Sequence, residues 1–156
     1  MTVEILRQKG HNFLWINDYL TMWDIPVEKK AQKEIADKAF GKVLVAGYGL
    51  GIVQSYLVEN PKVKSVLTIE KFQKVIDKVK ETYEKTYGEI KIGDFYDYQT
   101  EERFDCVIGD IWKDIIPEAF EDYKKFKHKA QQLINSNGKI LGWGQEFFEY
   151  MIEKND

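Results

Sequence analysis

The sequence is short of several things, and each shortage excludes something. It holds one cysteine, Cys106, so no disulfide can form within the chain. Nothing therefore calls for an oxidising compartment, and a cytoplasmic setting is the expectation. Its two histidines, His11 and His128, stand far apart without Cys or carboxylate partners at ligand spacing, so no metal site is expected. No apolar run approaches the ~18 residues of a membrane span. Met1 to Gly10 lacks the apolar core of a signal peptide. Positive charge is not in excess: 23 Lys and Arg against 26 Asp and Glu leave a net −3, which argues against a large nucleic-acid-binding face. There are only three prolines, and no linker, repeat or low-complexity tract.

What is present is 44% hydrophobic and 31% charged across 156 residues, enough for one domain, 1–156, with a substantial core. Residues 1–40 read as an N-terminal attachment to that domain. It comprises a hairpin, Phe13–Ile16 and Tyr19–Trp23 around Asn17-Asp18, followed by a helix from Pro26 to Ala39. Val27, Ala31, Ile35 and Ala39 recur every four positions and predict the buried face of that helix.

Beyond Gly41 the pattern alternates. Strands are predicted at Val43–Ala46, Ser65–Ile69, Glu89–Ile92, Phe104–Ile108 and Lys139–Trp143. Helices are predicted at Ile52–Val58, Gln73 to about Lys85, about Glu118 to Ile134 (stopped by Asn137-Gly138) and Glu146–Glu153. Such alternation implies right-handed crossovers and a doubly wound, mostly parallel α/β sheet.

The most informative run is Lys42-Val-Leu-Val-Ala-Gly-Tyr-Gly-Leu-Gly51, an apolar strand that empties into Gly47, Gly49 and Gly51 ahead of a helix. A strand, glycine turn and helix start bring bare backbone N–H groups against a nucleotide-like ligand. The third glycine of the dinucleotide pattern would fall at Ile52, and this mismatch favours S-adenosylmethionine (SAM) over NAD. In a wound sheet, ligands bind beyond the carboxyl ends of the strands. The second strand ends at Glu70, 23 positions after Gly47, beside Lys71, and its carboxylate suits ribose hydroxyls. The third ends in Gly93-Asp94-Phe95, with Asp94 placed for the adenine amino group and Phe95 for its ring. The fourth ends in Gly109-Asp110-Ile111-Trp112. Asp110 falls where the methionine part of SAM, or the group to be alkylated, would lie.

These residues resemble the class I SAM-dependent methyltransferases, and within them the spermidine synthase-like aminopropyltransferases. The resemblance runs over roughly residues 12–145, through Val66-Leu-Thr-Ile-Glu70, Ile92-Gly-Asp94 and Phe104-Asp-Cys-Val-Ile-Gly-Asp110. It implies a Rossmann-like fold shortened at the C-terminus and a pocket for SAM or decarboxylated SAM. Gly47, Tyr48, Gly49, Gly51, Glu70, Lys71, Asp94, Phe95 and Asp110 would line that pocket. Asp110 would orient or deprotonate an acceptor, and Trp112 would shape the wall beside it. Three departures weigh against the polyamine branch. Leu50 stands where those enzymes carry an acidic residue, Lys113 stands where they carry a second aspartate (Asp114 is one place out of register), and the hairpin glutamine has no counterpart near Thr21 or Met22. Aminopropyl transfer, a NAD oxidoreductase and a non-catalytic SAM- or nucleotide-binding module stay open beside methyl transfer. The acceptor is not specified by the sequence.

Other features read more plainly. Cys106 sits mid-strand as a buried, inert thiol. Lys124 to Lys129 reads as a solvated helix face. Trp143 ends the fifth strand and either walls a pocket or packs. The aromatic residues of Phe13–Trp23 either cover the sheet or form a subunit contact, so a homo-oligomer is possible.

Overall fold

The computed structural model describes residues 1–112 and 115–155. Its centre is a five-stranded, all-parallel sheet, built from β4 (Gly41–Ala46), β5 (Val63–Glu70), β6 (Glu89–Ile92), β7 (Phe104–Gly109) and β8 (Ile134–Gly142). The spatial order is β6-β5-β4-β7-β8, so the direction of winding reverses between β4 and β7. The predicted α/β, Rossmann-like class is therefore the observed one.

Alternation along β4 makes two cores. Leu44 and Ala46 face one side, with Leu67, Ile69 and Val107. There they meet α4 (Phe120–Gln131) and α5 (Gln145–Asn155) through Tyr123, Phe126, Ala130 and Phe148. Val43 and Val45 face the other side and pack with Cys106 and Ile108 against Ala36, Val53 and Leu57. These last three come from α1 (Pro26–Asp37) and α2 (Ile52–Leu57). The Cys106 thiol is fully buried and its pKa is raised by burial, as an inert packing residue requires.

The N-terminal attachment is larger than expected. β2 (His11–Ile16) and β3 (Tyr19–Trp23) form the predicted hairpin, with Asn17 and Asp18 both at positive φ. A third strand, β1 (Val3–Gln8), pairs antiparallel with β2. It closes through Lys9-Gly10, again two residues at positive φ. Val3, Leu14, Ile16 and Met22 from this small sheet pack on Tyr48, Leu50 and α3 (Gln73–Tyr83). Asp24 locks the junction: it accepts from Asn12 N (2.6 Å), Asn12 Nδ2 (3.0 Å) and the Tyr83 hydroxyl (2.8 Å).

Three expectations are corrected. Helix α4 is shorter than Glu118–Ile134, because a 3-10 turn at Pro117–Ala119 precedes it and β8 already begins at Ile134. Asn137-Gly138 consequently lies inside β8, within a register break opposite Asp105. The break is held by the Asp105 carboxylate, which accepts from Lys42 N (2.8 Å) and Asn135 Nδ2 (3.0 Å). The buried face of α1 is also turned from the predicted one. Val27 is 67% exposed, whereas Glu28, Gln32 and Ala36 are buried.

Two glycines are fixed by close approach. Gly51 has φ +75°, and a Cβ there would run into the Tyr48 ring. Gly109, at the tip of β7, leaves no room for a Cβ beside the Phe126 ring. Gly109→Ala is expected to destabilise the protein by about 1–3 kcal/mol, as overpacked core positions do. Urea denaturation of the purified variant measures it.

Candidate functional site

The strand tips converge on a cavity of about 870 Å³, in the range of small-molecule sites. It opens where the winding reverses, the place where ligands enter sheets of this kind. Gly47, Tyr48 and Gly49 from the glycine turn line it, as do Glu70 and Lys71 from β5, Asp94 and Phe95 after β6, and Asp110 and Trp112 after β7. Gly51 is set back as the residue preceding α2. Lys113 and Asp114 lie outside the described residues.

Glu70 is buried, and both its oxygens are engaged by backbone. Oε1 accepts from Tyr48 N (2.9 Å) and Oε2 from Phe72 N (2.8 Å). The acid from β5 thus staples the glycine turn to its own strand end. Gly47 N also donates to Ile69 O, and Gly93 N to Glu70 O, so the tips of β4, β5 and β6 are laced together. A carboxylate oxygen has more than one lone pair, so Glu70 can still accept from a hydroxyl. Among the described residues, nothing accepts from the Gly49 N–H.

Asp94 caps the 3-10 turn Phe95–Asp97, its Oδ1 accepting from Tyr96 N at 2.9 Å. Its Oδ2 stands 3.9 Å from the largely exposed Lys71 Nζ. Phe95 is buried, stacked on Phe126 with ring centroids 5.7 Å apart. Tyr96, next in the chain, is the more accessible ring, with Lys125 Nζ 4.1 Å above its face. Burial and the nearby Asp122 and Asp94 push the Tyr96 hydroxyl up to about 12, so it is a neutral hydroxyl at any physiological pH. Trp112 is buried against Tyr123, Phe126 and Phe148 and donates Nε1–H to Trp143 O at 3.1 Å. It is a wall fixed from behind, and Trp143 also reaches the cavity.

Asp110 is half-buried and accepts from Gln32 Nε2 at 3.0 Å. The same nitrogen donates to Glu28 Oε1 at 2.9 Å. Burial, and then the neighbouring Glu28, push the Asp110 carboxyl up to about 7; the Gln32 bond opposes the shift. Burial raises Glu28 as well. Gln54 also lines the cavity, and its Oε1 is the one buried side-chain polar atom without a partner among the described residues.

Sequence reasoning missed Glu28, Gln32, Gln54, Tyr96 and Lys125. The nearest signal was for Tyr96, which directly follows two residues already singled out. Glu28 and Gln32 were hidden because the apolar residues of α1 drew attention to a different face.

Comparison of the sequence with protein-family models and with curated proteins gives no match. Solved structures do match in fold. A SAM-dependent methyltransferase from Clostridium acetobutylicum ATCC 824 superposes with a TM-score of 0.54 at 14% identity, over 74% of this chain and 50% of that one. DhpI in its SAH complex gives 0.54 at 17% identity, over 71% and 53%. Trm5b from Pyrococcus abyssi gives 0.54 at 18% identity, over 99% and 48%. The chain spans about half the length of the structures it matches. The likeness is one of fold: this chain has the Rossmann-like α/β architecture found in SAM-dependent methyltransferases.

Proposed function

We propose that this chain binds S-adenosylmethionine and transfers its methyl group to an acceptor, with S-adenosylhomocysteine as the product. One observation carries the reading. The glycine turn, Glu70 and Asp94 arise from three separate strand tips, yet all line one cavity at the winding reversal. The DhpI structure, which shares the fold, is a complex with SAH.

The residues present suit such a group. Glu70 and Asp94 offer acceptors, the Gly49 N–H a donor and Tyr96 a flat, accessible ring. In this reading Gly47, Tyr48 and Gly49 approach the amino-acid part, and Gly51 gives Tyr48 the room to fold there. Glu70 holds the ribose, while Asp94, with Lys71 beside it and Phe95 behind, holds the adenine.

When bound, SAM supplies an electrophilic methyl on positively charged sulfur, whose departure needs no acid. The protein's task is then alignment. Asp110 is placed to orient the acceptor or take its proton, and Trp112 to limit where the acceptor can lie. Methyl transfer is favoured over aminopropyl transfer by Leu50. It is buried among Val3, Tyr48 and Val75, at the position where the aminopropyltransferases present an acid to a cationic amine.

Isothermal calorimetry with SAM tests the proposal. Binding in the roughly micromolar range is expected, weakened about tenfold or more by Asp94→Ala, the loss typical of a charge-assisted hydrogen bond. Absence of heat with both SAM and SAH would reject the reading.

A further inference from the structure

Glu28 and Gln32 lie one turn apart on α1, and that helix presents them to the tip of β7. Gln32 uses both amide hydrogens there, one on Glu28 Oε1 and one on Asp110 Oδ2. A single neutral amide therefore joins two carboxyl groups from separate elements. Among the described residues, no Lys, Arg or His nitrogen comes within 4 Å of either acid. Glu28 is 8% exposed, and no donor among the described residues reaches its second oxygen, Oε2.

Two neighbouring carboxyl groups, one buried and one half-buried, with no cation beside them among the described residues, are an expensive arrangement. A purely structural role would be met more cheaply by apolar side chains, because α1 packs well two turns further on through Ala36, with Ile35 beside it. Both acids also line the cavity, whose other walls include Leu20, Trp23 and Trp143.

We propose that Glu28, Gln32 and Asp110 form an ammonium subsite, and that the acceptor is a small amine arriving as a cation with an apolar body. This rests on the reading of the cavity as a SAM site. An ammonium brings a positive charge and up to three donors, enough for Glu28 Oε2 and the free lone pairs of Asp110. A neutral alcohol brings one donor and no charge. A phosphate or carboxylate is repelled.

The transfer then balances. The ammonium gives one proton to the Asp110 carboxylate and so exposes its lone pair. That pair forms the new N–C bond to the methyl as the S–C bond breaks, and the breaking bond's electrons stay on sulfur. The product is a methylated ammonium and a neutral thioether, and the Asp110 proton passes to water.

The test is calorimetry on the full chain saturated with SAH, at about pH 8, where Asp110 is mostly ionised. The probes are phenethylamine and its uncharged counterpart 2-phenylethanol. The amine should bind at least about tenfold more tightly than the alcohol, as expected for charge-assisted contact. Glu28→Gln should abolish that preference while leaving SAH affinity within about twofold of wild type, which also shows that the variant is folded. Glu28→Asp, which keeps the charge, should restore part of the preference. Equal binding of amine and alcohol by a protein that holds SAH would overturn the proposal while leaving the cofactor reading intact. A fall in SAH affinity in Glu28→Gln would also overturn it, because the pair would then serve the cofactor's own α-ammonium. Failure of the wild-type chain to bind SAH would instead remove the cofactor reading and this inference with it.

Discussion

An Asp110→Asn variant of the unliganded protein is expected to be more stable than its parent at about pH 8, by roughly 2–4 kcal/mol, and equal to it near about pH 4. The direction follows from linkage. Asp110 titrates at about 7 in the fold against an ordinary value of 3.8, because burial and the adjacent Glu28 both penalise its charge. A carboxyl raised in this way binds its proton more tightly in the folded state than in the unfolded one. Its contribution is fully present below the ordinary value, declines as pH climbs through the interval, and is gone above about 7. Asparagine has no proton to lose, keeps an oxygen for the Gln32 amide and relieves Glu28 of a like-charged neighbour. For a chain of this length the gain corresponds to a rise of roughly 5–15 °C in melting temperature at the higher pH. Thermal melts of both proteins from acid to mildly alkaline buffer test it. A parallel offset at every pH would contradict the argument. If Asp110 holds an acceptor, the same variant gives up transfer as it gains stability, the familiar cost of a site built for a ligand.

Phe126→Ala is expected to lower stability by about 3–5 kcal/mol, the usual penalty for emptying a large buried site. The Phe126 ring is fully buried on α4. Its neighbours are Phe95 at 5.7 Å, Trp112 at 5.4 Å and Tyr123 at 6.5 Å between centroids, and Gly109 has no side chain so that the ring can fit. Phe95 and Trp112 both show a side to the cavity, so Phe126 is the backing for two of its walls. Urea titration should show a lower midpoint with an unchanged slope. A loss under about 1 kcal/mol would mean that the cluster collapses into the gap far better than such clusters do.

The sequence made the central architecture readable because its signals are local. Strands β4, β5 and β7 are apolar or β-branched runs closed by a glycine or an acid, and they and β6 were found to within about two residues; β8 was found only in its second half, because it opens on the polar Asn135-Ser-Asn-Gly138. Glu70, Asp94 and Asp110 could be placed together because a parallel sheet sends all its carboxyl ends to one side. Strand β1 was unreadable for the opposite reason. Only Val3 on it is buried, Leu6 is exposed, and its pairing depends on the Lys9-Gly10 turn, whose first residue gives no turn signal. The face of α1 was misjudged because hydrophobic periodicity assumes an apolar neighbour, whereas this helix turns Glu28 and Gln32 towards the cavity and the Asp110 carboxylate. Asn137-Gly138 looked like a helix stop because the same dipeptide also serves a broken strand, and only the partner Asp105 distinguishes them.

The staple formed by the Glu70 carboxylate has a kinetic corollary. Because it already grips the main chain of Tyr48 and Phe72, this side of the cavity proposed for SAM is shaped before any guest arrives. Docking would then need no slow rearrangement, and stopped-flow traces would give a single phase whose rate climbs in proportion to guest concentration without levelling off.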